Sequence, residues 1–310
     1  RAASPHRRPR RAYARAMRGL LVSAALAAAT LACGDDGAPP PPPATITVGA
    51  VTIATDPLTL TITPPAGGPM VRPAFLEIAT VAAPDPDHYY DPRAAGDDPL
   101  AWTRPARATA LDADGWLVLE GGARLRLAPG ADPQDATLTV DAGAVAGAVL
   151  TRLAVPMAPG EPLYGFGESF GGADATGQVR ELQFRPDDAF ESGINEVHVP
   201  VPLALWPRRG LGLLVADRRV GGFDLGRARP GAALATFGLP ERGPLAFHLF
   251  VAATPIDLVR RYVGMTAKPA VPPRWAFAPQ QWRNEHRSSD EVRDDARQMR
   301  ALGIPGSTMW

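Results

Sequence analysis

The chain has 310 residues, 45% of them hydrophobic and 21% charged, with a formal net charge of zero. That length has room for about two domains, and that composition builds a folded core, which excludes a disordered or collagen-like chain. The zero conceals an asymmetry: residues 1–18 hold seven Arg and no acid, and without them 25 basic face 32 acidic residues, a mildly acidic body that speaks against a nucleic-acid partner.

Pro at 35 and Gly at 31 favour many short strands and turns over long helices. All but one of the 32 basic residues are Arg, Lys268 being the exception. In a chain so rich in Ala and Pro, this reads as coding bias before any phosphate-binding purpose.

Met17 and Arg18 precede an apolar run over residues 19–32, which ends at Cys33, the one cysteine of the chain. A short positive region, an apolar stretch too short to span a bilayer and small residues before the break make a secretory signal. The stretch "TLACGDDG" resembles the lipobox of bacterial lipoproteins, with Thr30 where Leu is commoner. On that reading Cys33 is lipidated and becomes the mature N-terminus, and the protein is exported and lipid-anchored, periplasmic or at the cell surface. The other reading is a plain signal peptide with Cys33 an unpaired thiol. Residues 1–16 then stand upstream of a start at Met17. "GAPPPPPA" within residues 35–44 is a stiff polyproline spacer, suited to tethering an anchored protein.

From Thr45 the pattern changes to period two. "TITV", "LTLTI" and "FLEIATV" alternate apolar and small polar residues, as half-buried strands do. "WLVLE", "ARLRLA", "ATLTV", "AVLTRLAV", "VRELQF", "EVHVPVPLAL", "LGLLVA" and "LAFHLFVA" continue the series. Between them stand the turn sequences "DADG", "APGADP" and "PRRG". The expectation is an antiparallel sandwich.

The period then switches. "TPIDLVRRYVG" predicts a helix capped by Thr254, with Pro255 at its first position and Ile256, Val259, Tyr262 and Val263 on one side. The Pro-rich crossing "KPAVPP" leads to "RWAFAPQQW", which reads as a buried strand. In "SSDEVRDDARQMRALG", Ser288 and Glu291 make a capping box, Val292, Ala296 and Met299 a buried stripe, and Gly303 the helix stop. "IPGSTMW" is then the second strand of a parallel strand–helix–strand unit. One such unit cannot bury its own faces, so the expectation is the opening of an α/β domain. The expected divisions are 1–32 as upstream residues and signal, 33–44 as anchor and linker, 45–266 as sandwich, and 267–310 as the start of that second domain.

Three stretches resemble glycoside hydrolase family 31. "EPLYGFGESFGG" (161–172) is similar to its "YGLGE" segment, and residues 194–217 resemble its strand pair leading into a "G-G-L-V-D"-like strand. Residues 257–310 resemble its helix, its "PxxPPRWALGxWQSR" entry into the barrel, and the first barrel helix. The resemblance implies a mutarotase-like N-terminal sandwich followed by a (β/α)8 barrel, here incomplete. It implies exo-acting hydrolysis of α-glycosides with retention by two carboxylates. In the family both lie on later barrel strands, so no catalytic residue is expected in this chain, and the chain alone is expected to be inactive.

Barrel sites sit at the C-terminal ends of strands, which singles out Gln281, Trp282 and Arg283 as substrate-binding residues. An amide and a guanidinium suit hydroxyls or an anion, and an indole stacks on a sugar face. Gln281 and Arg283 fall on the family's "QSR" positions, while Trp282 replaces the small residue. The bland alternative is that Arg283 makes a structural ion pair and Trp282 packs on a loop. In "YGFGE", Tyr164, Phe166 and Glu168 have the look of a site, but Gly165 and Gly167 favour close sheet packing. Asp187 and Asp188 are a minor candidate on a loop. His88, His198, His248 and His286 show no metal spacing, and no phosphate loop, serine elbow or zinc motif occurs, so neither cofactor nor metal is expected. The competing function is a non-catalytic, lipid-anchored carbohydrate-binding sandwich. An aldose epimerase shares the fold style but needs a His–Glu arrangement that cannot be placed here.

Overall fold

A computed structural model of the chain describes residues 41–85, 88, 90, 100–169, 172–182, 197–238 and 243–309. Cys33, Asp187, Asp188 and Trp310 lie outside the described residues.

In chain order the strands begin with β1 (Thr45–Val48), β2 (Val51–Thr55), β3 (Leu58–Ile62), β4 (Met70–Pro73), β5 (Leu76–Thr80) and β6 (Ala101–Thr103). They continue with β7 (Ala108–Leu111), β8 (Leu117–Leu119), β9 (Arg124–Pro129), β10 (Ala136–Asp141), β11 (Ala148–Pro156) and β12 (Tyr164–Ser169). Then come β13 (Val179–Glu181), β14 (Val197–Trp206), β15 (Leu211–Leu214), β16 (Gly221–Leu225), β17 (Ala232–Gly238) and β18 (Leu245–Val251). After them stand α1 (Pro255–Met265), a 3-10 turn (Arg274–Phe277), β19 (Gln280–Gln281), α2 (Ser289–Ala301) and β20 (Thr308–Met309).

The first eighteen strands make three antiparallel sheets. β1 to β4 form a meander, an eight-stranded sheet runs β12-β14-β15-β18-β10-β9-β8-β7, and a six-stranded sheet runs β13-β16-β17-β11-β5-β6. Alternation in the sequence becomes alternation in burial: β2, β3 and β10 bury every second residue. The two large sheets face each other across one core, to which the meander adds Ile53, Leu58, Leu60 and Ile62. An edge-to-face ladder of rings crosses that core. Phe166 of β12 meets Phe223 of β16 at 5.1 Å, Phe223 meets Phe237 of β17 at 5.9 Å, and Phe237 meets Phe247 of β18 at 6.5 Å. Such pairs add about 0.5–1.5 kcal/mol each beyond the area they bury. The expected antiparallel β-sandwich is what the chain builds.

α1 lies on the outer face of the eight-stranded sheet. Thr254 caps it, its hydroxyl accepting from the Asp257 amide at 3.3 Å. Its buried stripe differs from the expected one. Leu258 is fully buried against Leu203, Leu214, Phe250 and Ala252, with Tyr262 and Met265 beside it. Ile256 and Val259 instead face outward, 56% and 41% exposed. The helix is apolar on two sides, and the outer face of β14, β15 and β18 selects one of them. Arg261 fixes the choice by reaching Asp132 and Asp135, each at 3.0 Å.

The C-terminal region departs further from expectation. "RWAFAPQQW" is not a buried strand: Arg274–Phe277 is a 3-10 turn and only Gln280–Gln281 pairs, in parallel with β20. Two paired residues cannot enclose a strand, so Trp275 and Phe277 stay 58% and 72% exposed. α2 buries none of its residues; Val292 and Met299 are half-buried and Ala296 is exposed, so the expected stripe finds no surface to pack on among the described residues. Its ends are as expected. Ser288 accepts from the Glu291 amide at 3.2 Å, and Gly303 turns out of the helix at φ +67°.

Candidate functional site

β19, α2 and β20 form the parallel strand–helix–strand unit read from the sequence. Gln281 closes β19, so Gln281, Trp282 and Arg283 stand together at its C-terminal end, as strand-end logic requires. Trp282 exposes 58% of its surface at this strand end. The Gln281 amide nitrogen donates to the Trp282 carbonyl at 3.3 Å, which turns its carbonyl oxygen to other uses.

Arg283 is already engaged. Its guanidinium bonds Asp295 at 2.8 Å and Glu291 at 2.5 Å, both carboxylates one turn apart on α2. Those bonds raise the Arg283 pKa, Asp295 contributing most. The Arg287 amide, foremost, and Arg283 hold Glu291 below the usual carboxylate range, as Arg283 does Asp295. His286 approaches Asp295 at 3.4 Å. An arginine held between two carboxylates is better suited to fixing the strand end against the helix than to neutralising an anion. Sequence reading assigned Glu291 to the capping box and gave Asp295 no part in the site. The missed signal is their i,i+4 spacing on the helix that follows an arginine.

The "YGFGE" segment resolves into packing with an exposed rim. Phe166 is buried in the ring ladder at φ +69°, a left-handed conformation a bulky residue rarely adopts. Glycines on both sides make it possible. A Cβ on Gly165 would lie 2.2 Å from the Leu203 carbonyl oxygen, and one on Gly167 would lie 1.9 Å from that of Val199. The pairing of β12 with β14 shifts register at this point, as a bulge does. Tyr164 and Glu168 flank Phe166 on the exposed side. His248, which sequence reading left unassigned, meets Thr137 at 3.1 Å, and burial pushes its pKa down.

No family model matches the chain. It is 25% identical, over 148 residues, to alpha-glucosidase 2 of Bacillus thermoamyloliquefaciens, a match covering 46% of this chain and 18% of that enzyme. Among solved structures it is similar to a GH31 family sulfoquinovosidase from E. rectale bound to an aza-sugar inhibitor, at a TM-score of 0.59 and 13% identity. That match covers 84% of this chain and 40% of the other. It is also similar to an uncharacterised Listeria monocytogenes protein solved with α- and β-D-glucose, magnesium and calcium, at a TM-score of 0.54 and 14% identity. Here the coverage is 84% of this chain and 31% of the other. The chain thus spans less than a fifth of the curated relative and well under half of either structure. Sandwich topology, strand–helix–strand unit and these likenesses agree: the chain has the fold of the N-terminal part of a glycoside hydrolase family 31 protein.

Proposed function

We propose that the chain serves as the front part of a retaining, exo-acting α-glycosidase, in which the sandwich helps shape the carbohydrate site. The observation that carries the reading is the parallel β19–α2–β20 unit directly after the sandwich, with Gln281, Trp282 and Arg283 gathered at the strand end. An exposed indole and a strand-end amide suit a sugar's apolar face and hydroxyls. Arg283 orients the pair through its bonds to Glu291 and Asp295. Hydrolysis needs two carboxylates flanking the glycosidic oxygen. The family resemblance puts both on later barrel strands, to which no residue of this chain corresponds, and the chain by itself is inactive on this account. The protein is exported and anchored through a lipid on Cys33, a reading supported by the apolar run before that residue and the polyproline spacer after it.

Release of the aryl group from aryl α-glycosides tests the catalytic part. Background rates are expected for the purified chain. Turnover retained through purification to homogeneity would place the carboxylates within these residues and overturn the reading.

A further inference from the structure

The outer face of the six-stranded sheet holds a charge cluster that includes none of residues 281–283. Glu77 on β5, Arg152 on β11 and Thr236 on β17 lie side by side across adjacent strands, and all three are buried. Arg104 reaches in just beyond β6, Arg229 comes from the turn between β16 and β17, and Arg72 comes from β4 of the neighbouring meander. The Glu77 carboxylate accepts from Arg104 at 2.7 Å, from Arg152 at 3.1 Å, and from both terminal nitrogens of Arg229 at 2.7 and 3.1 Å. Four donors fill its lone pairs.

The guanidinium groups are far from filled. Each offers five N–H donors. Arg152, its side chain 4% exposed, spends Nε on the Thr236 hydroxyl at 2.9 Å and lays its face on the Trp102 ring at 3.5 Å. Its Nη2 is buried and finds no hydrogen-bond acceptor among the described residues. The Nε of Arg72 is in the same condition. Charge is unbalanced as well. Asp224 is the other carboxylate acting on Arg152, and its oxygens accept the amides of Arg227 and Ala228. Among the described residues, four guanidinium groups therefore share two carboxylates. Burial, followed by the charge of Arg229, lowers the Arg72 pKa, as expected for a cation held among like charges. Arg104, 53% exposed, and Arg229, 24% exposed, keep one side open to solvent.

We propose that Arg72, Arg104, Arg152 and Arg229 form a binding site for a small oxyanion of the phosphate or sulfate type. Planar guanidinium forks match the oxygen spacing of such anions, and a bound anion would take up the buried donors that Glu77 leaves idle. The inference does not depend on the glycosidase reading.

The test is titration of the full chain with inorganic phosphate and, separately, with a sugar monophosphate, at constant ionic strength against chloride. Thermal stability and calorimetry are the readouts. Both should show saturable binding, since a ligand selective for the native state raises Tm with a defined Kd. Equal affinities identify a free anion as the ligand; a tighter sugar monophosphate identifies the anionic substituent of a larger molecule. Arg104→Gln, at an exposed position, should weaken binding about ten- to a hundredfold, the range of one charged hydrogen bond. Arg72→Gln should weaken it too, and should raise Tm in anion-free buffer by relieving repulsion. Arg293→Gln on α2 should change neither. A non-saturating response shared by wild type and both cluster variants would be general salt exclusion and overturns the proposal. So does a fall in Tm on Arg72→Gln with phosphate affinity unchanged, which assigns that residue a purely structural place.

Discussion

Replacing Leu258 by Ala tests how the sandwich and its first helix are joined. Leu258 is fully buried among Leu203, Leu214, Phe250 and Ala252, which belong to strands β14, β15 and β18 or follow directly from them. Truncating a leucine so enclosed costs about 2–5 kcal/mol, transfer and cavity contributions together. For a folded unit of this size each kcal/mol lowers Tm by about 2–4 °C, so the variant should melt roughly 4–20 °C below wild type. The matched control is Ile256→Ala, two residues away on the same helix and 56% exposed. A surface truncation stays within about 0.5 kcal/mol, a Tm change of about 2 °C or less. Circular dichroism melts of the two variants, run in parallel, decide between the faces. Equal losses, or a larger loss at Ile256, would refute the packing of α1 described above and restore the stripe read from the sequence.

Three further outcomes are expected. Gly167→Ala puts a Cβ 1.9 Å from the Val199 carbonyl at φ +88° and should cost at least about 2 kcal/mol, whereas Gly172→Ala, at φ +99° in open space, should cost only about 1–2 kcal/mol of backbone strain; urea melts compare them. Burial raises the pKa of Glu77, but hydrogen bonds and charge from Arg229 and Arg152 more than reverse this and hold it below the usual carboxylate range. A depressed carboxyl contributes stability above its unfolded pKa and loses it as pH falls through the folded one, so stability should decline below about pH 4.5, and Glu77→Gln should flatten that limb of a pH-dependent melt. Metabolic labelling with a fatty acid should mark the precursor at Cys33, and Cys33→Ala should abolish the label; label that survives the substitution sinks the lipoprotein reading.

Much of the sandwich was legible because half-buried strands print their geometry on the sequence. β3 and β10 alternate in sequence and alternate in burial. β16 and β17 escaped notice for the converse reason: every residue of "GGFDL" and "AALATFG" is buried, so neither strand alternates. Gly221 adds to the disguise, since the Phe237 ring lies where its side chain would be. Helix ends were legible at Thr254, Ser288 and Gly303, where one side chain or one left-handed residue decides the local geometry. Helix faces were not. The stripe on α1 depends on what the eight-stranded sheet offers it, and "RWAFAPQQW" has the composition of a buried strand without the neighbours that would bury it. At the candidate site, sequence supplied the trio 281–283 through strand-end logic. It did not show that Arg283 is shared by Glu291 and Asp295. Still less could it gather Arg72, Arg104, Arg152 and Arg229 around Glu77, because these residues come from separate strands and turns spread over more than 150 positions.

The most direct test of the account is a titration of the chain with α-linked gluco-oligosaccharides, followed by amide and indole resonances in two-dimensional NMR. The account predicts that the Trp282 indole and the amides of Gln281 and Arg283 shift together and saturate, and that Trp282→Ala abolishes the response while the remaining spectrum stays unchanged. Shifts confined to the sandwich strands, surviving Trp282→Ala, would contradict it and favour a carbohydrate-binding sandwich whose site lies elsewhere.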